Sequence, residues 1–207
     1  MAEHPPTCFV VDDDASVRRS LSFLIRSLGY RVETFDSGDA ILARRPYDGI
    51  ACIITDVKMP GRSGLDLQDT LGRGDAPLPI IFISGHGDLP MGVGAMKKGA
   101  VDFLAKPFDD EDLIAAIEIA LERCRKVRQA SEGVADARRR LEKLSPREHE
   151  VLRHVISGRL NKQIAYDLGI AEHTVKIHRG RIMKKLAVDS LAELVRLAAQ
   201  AGIAPAT

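Results

Sequence analysis

In the first half of this chain, the residues whose types suggest chemistry are the run Asp12-Asp13-Asp14, the single Asp56 and the pair Lys106-Pro107. Each follows a short apolar stretch: Cys8-Phe-Val-Val before the first, Gly49-Ile-Ala-Cys-Ile-Ile before the second and Val101-Asp-Phe-Leu before the third. Packed carboxylates repel one another unless a cation sits among them, and an all-oxygen set suits Mg2+ rather than a soft metal. Asp14 reads better as the cap of the helix that contains Val17, which leaves Asp12, Asp13 and Asp56 as the site candidates.

A second set of residues calls for different chemistry. Thr174 to Leu186 carries Lys176, Arg179, Arg181, Lys184 and Lys185 with no acid between them. Val175, Ile182 and Leu186 fall at helical spacing, so they turn inward and much of the basic set turns outward. A helix of that kind fits the major groove of double-stranded DNA, where Lys and Arg bind phosphate or read guanine edges. For most of these residues phosphate contact is the plainer role, and Lys162 and Gln163 on the preceding helix are further candidates for it.

The acidic residues can meet only if their apolar stretches lie side by side. Five such stretches read as strands: the three above, Arg31-Val-Glu-Thr-Phe and Pro79-Ile-Ile-Phe-Ile. Between them run helix-period segments, such as Val17, Leu21, Leu24, Ile25 and Leu28 ended by Gly29. Three of the strands are almost wholly apolar, as expected where helices cover both faces of a parallel sheet. The expected fold is α/β, a doubly wound five-stranded parallel sheet, in which the carboxyl ends of the strands share the edge where ligands bind.

After Ser145 only helices are legible. Ser145-Pro-Arg-Glu148 is a capping box with Pro in the first turn. A short helix follows from Asn161, a plausible cap, to Gly169; a third spans Thr174 to Leu186; a fourth opens at Asp189-Ser190 and carries Leu191, Leu194, Val195 and Ala198. Four short helices with tight turns predict an all-α helix-turn-helix domain. The expected organisation is residues 1–121 for the α/β domain, a charged and helical linker over 122–143 with a flexible break near Ser131-Glu-Gly133, and residues 144–207 for the helical domain.

Charge sharpens that division. The 207 residues hold 30 Lys+Arg and 29 Asp+Glu, a formal +1. Residues 1–121 carry 12 basic against 19 acidic side chains, and the remainder 18 against 10, so a near-neutral total hides an acidic half and a basic one. The longest apolar run falls far short of the roughly 20 residues a bilayer requires. Nothing at the start resembles a secretory signal. Cys8, Cys52 and Cys124 suit neither a disulfide framework nor a zinc site, so a reducing cytoplasm is the expected compartment.

Val10-Val-Asp-Asp-Asp14, Asp56-Val-Lys-Met-Pro-Gly61 with Ser63-Gly64, Ile83-Ser-Gly-His86 and Lys106-Pro-Phe108 resemble the receiver domain of two-component response regulators. Leu144-Ser-Pro-Arg-Glu-His-Glu-Val-Leu152, Asn161-Lys-Gln-Ile-Ala165 and Thr174-Val-Lys-Ile-His-Arg179 followed by Met183-Lys-Lys-Leu186 resemble a LuxR-type DNA-binding domain. Together they resemble the FixJ branch of transcriptional regulators over nearly the whole chain.

The resemblance implies that Asp56 accepts a phosphoryl group from a sensor histidine kinase. It further implies that Asp12, Asp13, Asp56 and the backbone carbonyl of Lys58 hold Mg2+ (or Mn2+), and that Lys106 and Ser84 engage the new phosphate. Phe103 matches an aromatic switch position, although a Phe in an apolar strand is more commonly plain core. The Lys106–Pro107 bond is implied to be cis. Lys176 and Ile177 match base-contacting positions, with His178, Arg179, Arg181 and Lys184 beside them or along the backbone. The implied partners are double-stranded DNA, RNA polymerase and a second copy of the chain, paired on phosphorylation through the helix-four-to-helix-five face or on DNA through the last helix. No enzymatic turnover is implied beyond phosphoryl acceptance and slow self-dephosphorylation.

Two residues depart from the family pattern. Ala171 stands where a Ser or Asp cap is common, at a cost of about 1 kcal/mol. Gly180 interrupts the basic helix and weakens it by up to roughly 1 kcal/mol against Ala, which puts base readout one turn after Lys176 in question. The rival reading is a Mg2+-dependent phosphohydrolase with Asp56 as nucleophile. Such haloacid-dehalogenase-like enzymes want an acid two residues later, where this chain has Lys58.

Overall fold

The apolar stretches form strands because each is buried on both faces: β1 (Thr7–Val11), β3 (Ala51–Asp56) and β4 (Ile80–Ser84) are inaccessible along nearly their whole length. β2 (Arg31–Phe35) and β5 (Asp102–Ala105) complete the sheet as edges. In this computed structural model, which describes residues 5–44, 47–72, 77–85 and 89–206, the sheet is wholly parallel with order β2-β1-β3-β4-β5. The expected doubly wound sheet is therefore present, and all five expected strands lie within it.

Helices cover both faces. α1 (Ala15–Ser27) and α5 (Asp110–Leu141) set Leu21, Ile25, Leu113, Ile117 and Leu121 against Val10, Ile54, Ile81 and Ile83 of the sheet. On the other face α2 (Gly38–Ala43), α3 (Gly64–Leu71) and α4 (Leu89–Lys97) bring Ile41, Leu67 and Ala95 onto Phe9, Ile53 and Phe82. The parallel register pairs Cys8 with Cys52, whose sulfurs lie 3.7 Å apart as free, buried thiols. The hydrogen bond with Cys8, and then burial, hold the Cys52 thiol well above its ordinary pKa; both side chains pack as small apolar core residues.

The chain divides into two compact units, Met1–Arg128 and Gln129–Thr207, so the boundary falls inside α5. The expected break near Ser131–Gly133 is absent: the helix carries through it. The reason is compositional, since the flanking Arg, Lys, Ala, Glu and Gln are strong helix formers and one glycine does not overcome them.

The second unit comprises the end of α5 with α6 (Pro146–Ile156), α7 (Asn161–Leu168), α8 (Glu172–Leu186) and α9 (Leu191–Gln200). Ser145 caps α6 through the expected box with Glu148, and Gly169 ends α7 in the left-handed conformation, φ 62°. Asn161 is not the cap of α7. That position belongs to Leu160, which has no capping side chain, and its N–H donates instead to Oε1 of Gln163 at 2.8 Å.

Ala137 and Leu141 of α5 are 2% and 4% exposed in one core with Leu152, Ile164, Val175, Ile182 and Leu194. The Arg140 guanidinium donates to the carbonyls of Leu186 and, at 2.9 Å, Ala187, so it caps the carboxyl end of α8 where Ala187 turns left-handed. A segment expected to be linker is thus partly core. A fragment of residues 129–207 is expected to melt cooperatively, whereas one beginning at 144 loses roughly 2–5 kcal/mol through the emptied Ala137 and Leu141 sites and the lost Arg140 cap. Equal melting temperatures for the two, read by circular dichroism, would refute this.

Candidate functional site

The turn after β1 is shaped by its own aspartates. Asp14 caps α1, its Oδ1 accepting from the backbone N–H and the hydroxyl of Ser16 at 2.7 Å each, as the sequence suggests. Asp12 turns the other way, with Oδ1 accepting from the N–H of Asp14 at 2.8 Å and Oδ2 left to face the strand ends. Arg18 holds the turn from the next helical turn, donating to the carbonyl of Asp12 at 2.6 Å. The sequence reading missed Arg18, because an arginine in a surface helix gives no signal that it reaches back six residues.

Asp56 ends β3. The N–H of Lys58 donates to its Oδ1 at 2.9 Å. The start of α3 crosses so close behind it that a Cβ on Gly64 would lie 2.3 Å from the carbonyl oxygen of Asp56, which is why a glycine stands there. Lys106 directly follows β5, its N–H donates to the carbonyl of Ser84 at 2.6 Å, and the bond after it, to Pro107, is cis. These strand-end contacts deliver the Lys106 ammonium to both acids, 2.9 Å from Oδ2 of Asp56 and 3.2 Å from Oδ2 of Asp12.

The ion-paired group is largely shielded from solvent. Side-chain exposure is 3% for Asp12, 15% for Asp56 and 30% for Lys106. Burial raises the pKa of Asp12, against the opposing pull of the Asp14 amide and of Lys106. Burial alone pulls Lys106 down, but its hydrogen bond to Asp56 and the charges of Asp12 and Asp56 prevail and hold it above its ordinary value. Asp13 is exposed and takes no part in this ion-paired group. Among the described residues no three His, Cys, Asp or Glu side chains are gathered as a ready-made metal site.

Ser84 is fully buried at the end of β4, facing Ala105 across the ladder. Phe103 is partly buried, its ring centroid 6.4 Å from that of Phe82, in the space that the absent side chain of Gly92 leaves on α4. His86, the last residue of the Ser-Gly-His motif, lies outside the described residues.

In the second unit α8 buries Val175, Ile182 and Leu186 as expected. Lys176, Ile177, Arg181 and Lys184 are exposed, while His178 and Arg179 are half-buried; on α7, Lys162 and Gln163 are exposed. Lys185 is not free to face a ligand. Its ammonium is 2.6 Å from Oε2 of Glu148, which is 2% exposed and also accepts from the N–H of Ser145. Burial alone would raise Glu148, yet Lys185 and the Ser145 hydrogen bonds bring its pKa below the usual carboxylate value. Of the five cations of α8, Lys176, Arg181 and Lys184 are exposed, Arg179 is half-buried and Lys185 is tied to Glu148. Ala171 supplies no capping bond, as its side chain requires. On α9, Leu194 and Ala198 are buried but Leu191 and Val195 remain 46% and 39% exposed.

Two family models match the chain, a response regulator receiver domain over residues 8–118 and a luxR-family bacterial regulatory domain over residues 142–198. The chain belongs to the two-component response regulators. Nodulation protein W of Bradyrhizobium diazoefficiens is 51% identical over 195 residues, spanning 94% of this chain and 86% of that protein. The transcriptional regulatory protein FixJ of the same organism is 42% identical, over 94% of this chain and 95% of its own length. The solved structure of the response regulator StyR superimposes with a TM-score of 0.84 at 48% identity, covering 95% of this chain and all of that one. As a response regulator with a LuxR-type domain, the chain is a DNA-binding transcription regulator rather than a classical enzyme. No helix among the described residues is long and apolar enough to cross a membrane.

Proposed function

We propose that this response regulator takes a phosphoryl group from a sensor histidine kinase onto Asp56 and changes its pairing and DNA binding in consequence. The observation that carries the reading is the Lys106 ammonium shared between Asp12 and Asp56 at the carboxyl ends of three strands. An Asp56 oxygen attacks phosphorus in line, the bond from phosphorus to the donor imidazole breaks, and the imidazole leaves with the electron pair. The product is an aspartyl phosphate. Lys106, already within reach, neutralises the oxygens of the incoming group and then pairs with the new phosphate. Ser84, at the end of the adjacent strand, is placed to hydrogen-bond it, and Phe103 follows by repacking.

The donor set fits a hard cation. Mg2+ retains several waters and needs only one or two carboxylates beside a phosphate; Asp12 and Asp56 would supply these, with Asp13 and the carbonyl of Lys58 as the further donors. Burial that disfavours charge on Asp12 is consistent with a cation as its partner. Mg2+ or Mn2+ bound there supplies a counter-charge for the phosphoryl oxygens. Lys58 stands where a hydrolase of outside substrates wants an acid, so slow loss of the chain's own acyl phosphate is the only turnover expected.

Phosphorylation adds about −1.5 to −2 charges to the site. The face that responds carries exposed Val93 and Met96 on α4 and Ile119 on α5, a surface suited to a second copy. Leu191 and Val195 offer a smaller apolar strip to a second copy on a two-fold DNA site. Lys176, Ile177, Arg179, Arg181 and Lys184, with His178 behind them and Lys162 and Gln163 on α7, form the groove-facing set; RNA polymerase is the downstream partner. Binding to a site selected from random duplexes should strengthen with acetyl phosphate and Mg2+ and weaken steeply with salt, as phosphate-led binding does. Salt-independent binding, or none in either state, would overturn the reading.

A further inference from the structure

Glycine is the poorest helix former after proline, so Gly180 in the middle of α8 requires a reason. The interior of the protein supplies none. A Cβ built on Gly180 meets no atom within 4 Å, in contrast to Gly64 and Gly92, where it would strike the Asp56 carbonyl and the Phe103 ring. The backbone does not require a glycine either, since α8 runs unbroken from Glu172 to Leu186 and Gly180 is not among the glycines of positive φ. What the missing side chain leaves open is therefore outside.

Gly180 is exposed, and so are its neighbours one turn away on the same face, Lys176, Ile177 and Lys184. The buried residues Val175, Ile182 and Leu186 mark the opposite face. A stretch of bare backbone thus lies midway along the outward surface of α8, between two lysines and beside an isoleucine that is 40% exposed. A helix with its side chains, about 10–12 Å across, nearly fills a major groove about 12 Å wide, so how deep it sits depends on the bulk at its centre.

We propose that Gly180 is a specificity-determining position, its lack of a side chain letting the backbone of α8 seat against the base edges. The proposal rests on the reading of α8 as the DNA-reading helix. At that depth the short, stiff side chain of Ile177 reaches apolar base surface such as a thymine methyl, and Lys176 reaches an acceptor on a neighbouring base. A Cβ at the centre lifts the helix. Long lysine and arginine side chains extend to keep their phosphates, whereas contacts made by Ile177 and by the backbone are lost.

The test uses the full chain, a duplex selected by the wild type from a random pool, and an unrelated duplex of equal length. Gly180→Ala should melt no lower than wild type, because alanine favours the helix and meets no obstacle. It should nevertheless bind the selected duplex at least 10-fold more weakly, with affinity for the unrelated duplex and the slope against salt unchanged. Reselection with the variant should return a different preferred sequence. Equal binding of the selected duplex by both proteins overturns the proposal, and so does an equal loss on both duplexes. If the wild type selects no sequence at all, the reading of α8 as a DNA reader fails, and this proposal with it.

Discussion

Asp56→Asn is expected to abolish labelling by acetyl phosphate or by a phosphorylated kinase while leaving the unit folded. The amide that replaces the carboxylate is no longer an anionic nucleophile, and the nearby acids do not take its place. Asp12 is committed by Oδ1 to the Asp14 amide and by Oδ2 to Lys106, with 3% of its side chain exposed. Asp13 is outside the ion-paired group, and Asp14 is spent capping α1. Stability should change little, because the variant removes one of two like charges that share a single ammonium, and Lys106 keeps Asp12 as its partner. Radiolabel incorporation followed after gel separation, with denaturant unfolding run in parallel, measures both quantities. Labelling at unchanged stoichiometry would place the acceptor elsewhere.

Lys106→Ala is expected to destabilise the first unit measurably. It deletes the charge that holds Asp12 and Asp56 together and leaves two mostly buried carboxylates facing each other. The cost at neutral pH is about 1–3 kcal/mol, scaled down from a fully buried pair because Lys106 is 30% exposed. The sign with pH follows from the raised pKa of Lys106. Stabilisation by such a group is fully present below its unfolded value, near 10.4, and is lost only as pH rises through the higher folded value. The gap between variant and wild type is therefore complete at neutral pH and closes in strong alkali. Mg2+ should restore more stability to the variant than to the wild type, since it replaces the missing positive charge. Unfolding curves in chelator and in Mg2+ would refute the argument if the two proteins were equally stable in chelator, or if Mg2+ acted equally on both.

The sheet and its functional edge were legible in sequence because the signals are local and mutually consistent. Apolar runs marked β1, β3 and β4, and acids or a lysine directly after strands specified which side chains converge. The Asp14 cap and the Ser145 box were legible for the same reason, since a cap is set by residues two or three positions away. What escaped the reading depends on distant partners. Lys185 looked like one more cation until Glu148, from another helix, took it up. Arg140 looked like part of a solvated charge run, and nothing within several residues indicates that it reaches the last carbonyls of α8. Arg18 folding back to Asp12, and the parallel register that sets Cys8 beside Cys52, were invisible for the same cause. The break expected at Ser131–Gly133 failed in the opposite way, because a local helix-weakening signal was overruled by its surroundings.

The boundary inside α5 bears on how such proteins exchange parts. The two family models end at residue 118 and resume at 142, inviting a recombination joint anywhere in the interval. Yet Leu121 and Cys124 are buried in the first unit, and Ala137 and Leu141 in the second. A joint near 120 would strip apolar side chains from one hydrophobic core, and a joint near 140 from the other. Only a narrow window around Arg128 leaves both intact, so viable hybrids that swap one sensor input for another should have their crossovers concentrated there.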